Sequence, residues 1–165
     1  MSHFLLAGTK NKSGFTLVEL LVTLAILATL ATLVVPVAQV QFQRGKEQQL
    51  RASLIEIRNA IDAYKKAGDE GRIRREASST GFPKTLDILV EGVDDQRDPN
   101  RRKLYFLRQV PRDPFHDQPN SANADTWAKR AYASEPSDPV EGDDVYDVRS
   151  KSPLVGLNGI PLKRW

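Results

Sequence analysis

A single acidic side chain, Glu19, is the only charge between Phe15 and Ala38 in an otherwise apolar stretch. An ionisable group inside a membrane span costs a few kcal/mol near the helix centre and is usually paired with an opposite charge. Two interpretations follow for Glu19. Its carboxylate either meets a positive charge supplied from outside the apolar stretch, or it lies near the lipid headgroups.

Residue types that carry enzymatic chemistry are sparse in the rest of the chain. There is no cysteine, which excludes disulfides, thiolate metal sites and a cysteine nucleophile. His3 lies close to the start, and His116 has no serine or second histidine in a recognisable catalytic arrangement. We therefore predict that the protein is not an enzyme.

Charge gives weak support for nucleic-acid binding. The 165 residues carry 24 basic and 21 acidic side chains, a formal charge of +3. Lys10 and Lys12 are the only charges before Gly14, so the remainder is close to neutral. Arg72, Arg74 and Arg75 form a basic segment, but it has flanking acids and no aromatic residue, as is typical of a solvated loop.

The segment from Phe15 to Ala38 is long enough to cross a membrane. Its 24 residues would form a helix of about 36 Å, against a hydrocarbon core of about 30 Å. The lysines upstream predict a cytoplasmic N-terminus and place the rest of the chain on the far side. A cleaved secretory signal has a shorter apolar core. A plain signal anchor explains the length of the segment but not why Gly14, Phe15 and Glu19 occur in this order.

The segment KSGFTLVELLVTLAIL supplies that explanation, because it resembles the class III signal of type IV pilins and pseudopilins. In that family a prepilin peptidase cuts on the cytoplasmic side after the glycine and methylates the new N-terminal residue. The resemblance implies cleavage between Gly14 and Phe15, with methylation of Phe15. It also implies that Glu19 is the acid at the fifth mature position.

Such cleavage would create a partner for Glu19. The new amine on Phe15 would lie four residues away, about 6 Å along a helix axis. Pairing is possible within one helix, or between helices of neighbouring subunits offset by about one turn. In the second case Glu19 would set the register of assembly, as buried polar groups do elsewhere.

The hydropathy and the resemblance together predict four regions in the chain. One helix would run from Phe15 to Ala67, and Pro36 predicts a kink in it near Thr32, because proline lacks an amide hydrogen and crowds the preceding turn. The regions are a cleaved cytoplasmic leader at 1–14, a transmembrane half-helix at 15–38, a periplasmic half-helix at 39–67 and a globular head at 68–165.

Apolar residues in the second half of this helix recur at spacings of four and three: Leu50, Leu54, Ile57, Ile61 and Tyr64. This spacing predicts one apolar seam, which either packs under the head or forms a coiled coil; its short length favours the head. The pair Glu47 and Arg51 is predicted to mark the solvated side. Gly68 and Gly71 are predicted to end the helix.

The head is predicted to be mixed, giving an α+β, type IV pilin-like fold with a short antiparallel sheet. Gly71–Gly92 reads as a loop followed by a short helix that Thr85 caps and that buries Leu86 and Leu89. Alternation predicts strands at Lys129–Ser134 and Asp144–Ser150, joined by a turn.

Three head segments are similar, in order, to the major pseudopilin of type II secretion: FPKTLDILVEG, YFLRQVPRDPF and VYDVRSKSPLVGLNGIPLKRW. The resemblance implies a subunit of a periplasmic pseudopilus, anchored in the inner membrane with a periplasmic head. Its implied partners are further copies of itself, prepilin peptidase, minor pseudopilins, an assembly platform with a cytoplasmic ATPase, and the lipid bilayer, without nucleic acid. A type IV or competence pilin and a signal-anchored periplasmic binding domain remain alternatives.

Calcium is a further expectation that rests on the resemblance, because in major pseudopilins the ion stabilises the C-terminal loop. This chain has Asn158 and Gly159 at the corresponding turn, and Asp147 is a nearby acid. Calcium prefers six to eight oxygen ligands, several of them carboxylate. Asp147 and Asn158 are therefore the candidates, with a solvated turn as the favoured alternative, and no other cofactor is predicted.

Overall fold

The computed structural model describes residues 14–76 and 78–165. The predicted leader, with Lys10 and Lys12, therefore lies outside the described residues apart from Gly14. The chain divides after Gln41 into two compact units, and the second is Phe42–Trp165.

The long helix α1 spans Leu17–Asp69 and has 53 residues. The prediction of Phe15–Ala67 has the same length and is displaced by two residues at each end. At the end of α1 the amide of Arg72 donates to Ala67 O at 2.9 Å and Gly71 adopts a φ of 70°. Glycine enters this left-handed region without a steric penalty, so the predicted role of Gly71 is confirmed. Gly68 instead lies inside α1.

The first unit consists of the apolar beginning of α1. One helix in the described residues is long and apolar enough to cross a membrane, and none of its most apolar window is buried. A helix that is apolar on all faces is stable only where lipid or other helices cover it.

The second unit combines the head, residues 68–165, with the second half of α1, and its core is built on the predicted seam. Leu50, Leu54, Ile57 and Ile61 are all almost fully buried, and Tyr64 packs at the edge of the same cluster. The opposite side of the core contains the buried side chains Leu86, Leu89, Leu107, Val110, Trp127, Val148 and Leu162. The seam is therefore the core-facing stripe of the head within one chain.

In the part that the structure describes, the head contains one short helix and two small antiparallel sheets, which confirms the α+β class. Helix α2 spans Ile88–Glu91, strand β1 (Val93–Asp94) pairs with β2 (Lys103–Leu104), and β3 (Trp127–Arg130) pairs with β4 (Asp147–Ser150). Two 3₁₀ turns, Asn123–Thr126 and Leu162–Arg164, complete it.

The predicted strands are present but shorter than predicted, and β3 begins at Trp127, two residues before the predicted start. β3 ends at Arg130 because the next amide, that of Ala131, donates to Val140 O at 3.0 Å. β4 begins at Asp147, since the amide of Val145 donates to Pro83 O at 2.8 Å. Within β4 buried and half-buried residues alternate, as predicted.

Two local predictions were wrong. Thr85 does not cap α2, which begins at Ile88 after Asp87, a residue that makes no side-chain cap. Glu47 is not on the solvated side: it is 7% exposed. Leu86 and Leu89 are buried as predicted.

Candidate processing and assembly site

The predicted cleavage point lies immediately before α1. Gly14, Phe15 and Thr16 have no regular structure, and the Phe15 side chain is 81% exposed. Thr16 begins the helix: its Oγ1 accepts from the Glu19 amide at 3.2 Å and its carbonyl accepts from Leu20 N at 3.1 Å. The Gly14–Phe15 bond is thus in an exposed, non-helical segment.

Glu19 stands in the first turn of α1 and is exposed. An acid there interacts favourably with the positive end of the helix dipole. Thr16 and Glu19 also have the spacing of a capping box, of which the Thr16 half is formed. The sequence analysis missed Thr16, although the pattern Thr-x-x-Glu would have identified it.

Apolar side chains lie on all sides of the first part of α1, up to Ala38. Different faces of the helix carry Leu20, Leu21, Val22 and Ile26, and each of them is more than half exposed. The hydroxyls among them are satisfied locally, as Thr23 Oγ1 donates to Leu20 O at 2.9 Å and Thr29 Oγ1 to Ile26 O at 2.8 Å. The surface therefore offers apolar contact with its threonine hydroxyls satisfied, which suits both lipid and other helices.

Pro36 lies inside α1, which continues through it without interruption. Pro36 has no amide hydrogen, so the carbonyl of Thr32 lacks its usual helical donor. The predicted kink stays a prediction.

In the head, Arg58 joins α1 to the end of the chain. Its Nε donates to Asp147 Oδ1 at 2.8 Å, and its Nη2 donates to Val148 O at 3.1 Å and to Trp165 O at 2.9 Å. Arg130 Nη2 lies 3.8 Å from Asp147 Oδ2. Two guanidinium groups therefore face Asp147.

These contacts bear on the calcium expectation. Asp147 is engaged by arginines, whereas Asn158 Oδ1 accepts from the Ile160 amide at 3.0 Å within its own turn. Within residues 14–76 and 78–165, no group of three or more His, Cys, Asp and Glu side chains is arranged to hold a metal. Asp147 and Asn158 thus do not share a set of free oxygens that fits calcium.

Buried Glu47 is a second link between α1 and the C-terminal segment. Its Oε1 accepts from the amide of Leu157 at 2.8 Å and from Gln43 Nε2 at 3.0 Å. Arg51, its predicted partner, instead stacks over the Trp165 ring with 4.3 Å between the guanidinium carbon and the ring centroid. The sequence analysis missed this role because Leu157 is distant along the chain.

Asp113, in the head segment YFLRQVPRDPF, has a structural role. It is 1% exposed, and its carboxylate accepts from Ser150 Oγ at 2.6 Å and Phe115 N at 2.8 Å. Its own amide donates to Thr126 Oγ1 at 3.2 Å. Asp113 therefore connects this loop to β4 and to the turn before β3.

The basic segment is engaged within the head. Arg72 donates from Nη2 to Asp95 Oδ2 at 2.6 Å, and the hydrogen bonds from this guanidinium hold the pKa of Asp95 below its ordinary value. Arg75 Nη1 lies 3.3 Å from Asp69 Oδ1. These contacts agree with a structural loop and give no support to a phosphate-binding surface.

His116 has one polar neighbour that the sequence analysis did not connect to it. Its Nε2 lies 3.2 Å from Ser121 Oγ, which in turn donates to Gln118 Oε1 at 3.3 Å. This arrangement ties a surface loop together. In the described part of the chain no carboxylate hydrogen-bonds to His116, so a Ser-His-acid arrangement is not formed.

The long apolar helix, the exposed segment Gly14–Thr16 before it and the small α+β head define a protein of the type IV pilin-like class. Residues 9–35 match the family model described as the prokaryotic N-terminal methylation motif. No solved structure matches the chain significantly.

Curated relatives make the assignment more specific. The chain is 31% identical over 110 residues to the type II secretion system core protein G of Aeromonas hydrophila, covering 64% of this chain and 69% of the relative. Identity to the core protein G of Pseudomonas aeruginosa is 30% over 64% of this chain and 70% of the relative. The chain is 27% identical to the core protein G of Vibrio cholerae, over 64% of this chain and 67% of the relative. The chain belongs to the type II secretion system core protein G family.

Proposed function

We propose that this chain is a structural subunit that polymerises into the periplasmic pseudopilus of a type II protein secretion system. In this proposal the precursor is cut between Gly14 and Phe15, and Phe15 is methylated. Residues 15–38 then anchor the subunit in the inner membrane, residues 39–67 continue the helix, and residues 68–165 form a periplasmic head.

One observation carries this proposal: the Gly14–Phe15 bond is exposed immediately ahead of a capped helix whose first part is apolar on all sides. Processing at this bond releases a free amine at the start of that helix. The same apolar surface suits lipid before assembly and other helices after it, since packing between helices replaces lipid contacts of similar polarity. A subunit can therefore transfer reversibly between bilayer and filament.

The partners in this proposal follow from these stages. Prepilin peptidase processes the precursor, and further copies and minor pseudopilins pack against α1. A membrane platform and its cytoplasmic ATPase supply the work of extraction from lipid. We propose that the role of the head in this process is structural, without nucleic acid.

Mass spectrometry of the mature protein tests the processing step. The full chain is produced with a prepilin peptidase, and the N-terminal peptide is expected to begin with methylated Phe15. Gly14→Val is expected to abolish cleavage, because a β-branched side chain replaces the hydrogen beside the scissile bond. Gly8→Val is the matched control, since it changes another glycine of the leader and should leave cleavage intact. An uncut N-terminus, or a cut beyond Ala38, would reject the proposal.

A further inference from the structure

The C-terminal loop, residues 153–162, presents an unusual apolar surface. Leu154, Val155, Leu157 and Ile160 are between 45% and 55% exposed. No charged residue occurs from Ser152 to Leu162. Isolated exposed apolar side chains are normal, but several on one short loop mark a surface that contacts something other than water.

This loop is held in place by its own backbone. Gly156 N donates to Ile160 O at 2.9 Å and Leu162 N donates to Leu154 O at 2.9 Å. Leu162, at its base, is fully buried. The loop is therefore fixed at its base to the core, while the apolar side chains of Leu154, Val155, Leu157 and Ile160 stay about half exposed.

The loop is also attached to the part of α1 that follows the apolar span. Leu157 N donates to Glu47 Oε1 at 2.8 Å, and Val155 O accepts from Gln43 Nε2 at 3.4 Å. Gln43 is five residues beyond Ala38, so chain connectivity alone keeps it within about 18 Å of the end of the span. If this segment stays helical, the rise is only about 8 Å. The headgroup layer on each side of a bilayer is about 5–7 Å thick.

The charges around the loop match a lipid surface. Arg44, Lys163 and Arg164 are exposed, and residues 148–165 contain no acid. The acid of α1 closest to the loop, Glu47, is buried and accepts the Leu157 amide. An apolar tip bordered by basic side chains is typical of segments that lie in the interface of an anionic membrane.

We infer that the C-terminal loop of the unassembled subunit rests in the headgroup region of the bilayer that holds its own span. This inference depends on the anchoring part of the proposed function. The bilayer is favoured over a second copy because the span tethers every anchored subunit to it. The loop therefore meets the bilayer at high effective concentration before the subunit associates with another copy. The contact would hold the head at the membrane until the subunit enters a filament.

The absence of cysteine allows a direct test on the full chain in nanodiscs that contain phosphatidylglycerol, with one chain in each disc. A fluorophore on Leu157→Cys is expected to be quenched several-fold more by headgroup spin-labelled lipid than one on Tyr105→Cys. Leu157→Cys keeps the amide that Glu47 accepts, and Tyr105 is an exposed control at 66%. Ile160→Asp should reduce quenching at position 157, whereas Val140→Asp, also at an exposed apolar site, should not.

A probe on Thr23→Cys separates the two proposals. If this span probe is in lipid while the probes at positions 157 and 105 are quenched equally, the loop inference is wrong and the anchoring stands. Shielding of position 157 that arises only when two copies share a disc would assign the loop to a second copy and overturn the lipid contact. A span probe that stays in water rejects the anchoring and the loop contact together.

Discussion

Arg58 Nε lies 2.8 Å from Asp147 Oδ1, and this ion pair joins the long helix α1 to strand β4. The same guanidinium donates to the carbonyls of Val148 and Trp165. One helical side chain thus fixes both a strand and the last residue of the chain. Because both charged partners are about one third exposed, the hydrogen bonds to backbone carbonyls are expected to contribute more than the ion pair does.

Arg58→Leu is expected to lower the free energy of unfolding of the head by about 1–3 kcal/mol, because it removes three charge-assisted hydrogen bonds. The free energy of unfolding of Arg58→Lys should lie between those of wild type and Arg58→Leu, since one ammonium cannot reproduce the fork of the guanidinium. Chemical denaturation of the full chain in detergent measures the change. Arg74→Leu, at an exposed site, is the control, and equal effects at positions 58 and 74 would contradict the expectation.

Substitution of Asp113 is expected to destabilise the head more than substitution of Arg58. Asp113→Ala leaves the buried groups Ser150 Oγ and Phe115 N without their acceptor, and should cost about 3 kcal/mol or more. Ser150→Ala removes one bond to the same carboxylate and should cost less. Thermal unfolding monitored by circular dichroism compares them; a larger loss for Ser150→Ala would show that Asp113 is not the centre of this network.

Acid should weaken the contact between Arg72 and Asp95. The folded pKa of Asp95 is below its ordinary value because Arg72 and the Arg97 amide donate to it. The stability that this contact contributes is therefore fully present above the pKa of Asp95 in the unfolded chain. It is lost as pH falls through the lower pKa of the folded state. Asp95→Asn should lower the melting temperature at pH 7, and the difference from wild type should shrink in strong acid. A difference that does not change with pH would exclude this linkage.

Glu47 is expected to control the mobility of the C-terminal loop. Glu47→Ala removes the acceptor of the Leu157 amide, so hydrogen exchange at Leu157 should become faster while exchange in β3 and β4 changes little. Glu47→Gln keeps an acceptor oxygen and should have a smaller effect. Exchange measured by mass spectrometry on the peptide that contains residues 153–162 reports this, and unchanged exchange in Glu47→Ala would remove the proposed link.

The features that sequence reasoning predicted correctly are those set by local spacing. The seam from Leu50 to Ile61 follows the helical period, and alternation located β4 to within three residues. Glu47 was misplaced because an i,i+4 acid-base pair reports only on one helix, while its actual partner, Leu157 N, is 110 residues away. β1 and β2 have two residues each, too few to produce a period. Long-range polar contacts at Arg58 and Asp113 leave no local signal.

Glu19 has two distinguishable roles, at the helix start and in assembly. If its main role is to favour the first turn of α1 near Thr16, Glu19→Gln should be tolerated, and Thr16→Val, which removes the capping oxygen, should impair assembly at least as much as Glu19→Ala. If Glu19 pairs with the amine of Phe15 in a neighbouring subunit, Glu19→Ala and Glu19→Gln should both be cleaved and methylated yet assemble poorly, because a buried amine loses its partner. In that case Thr16→Val should assemble well.

We expect the second pattern, in which Glu19 pairs with the amine of a neighbouring subunit. The measurements are the yield of sheared filaments and the mass of the mature N-terminal peptide. Normal filaments from Glu19→Ala would exclude a role in register.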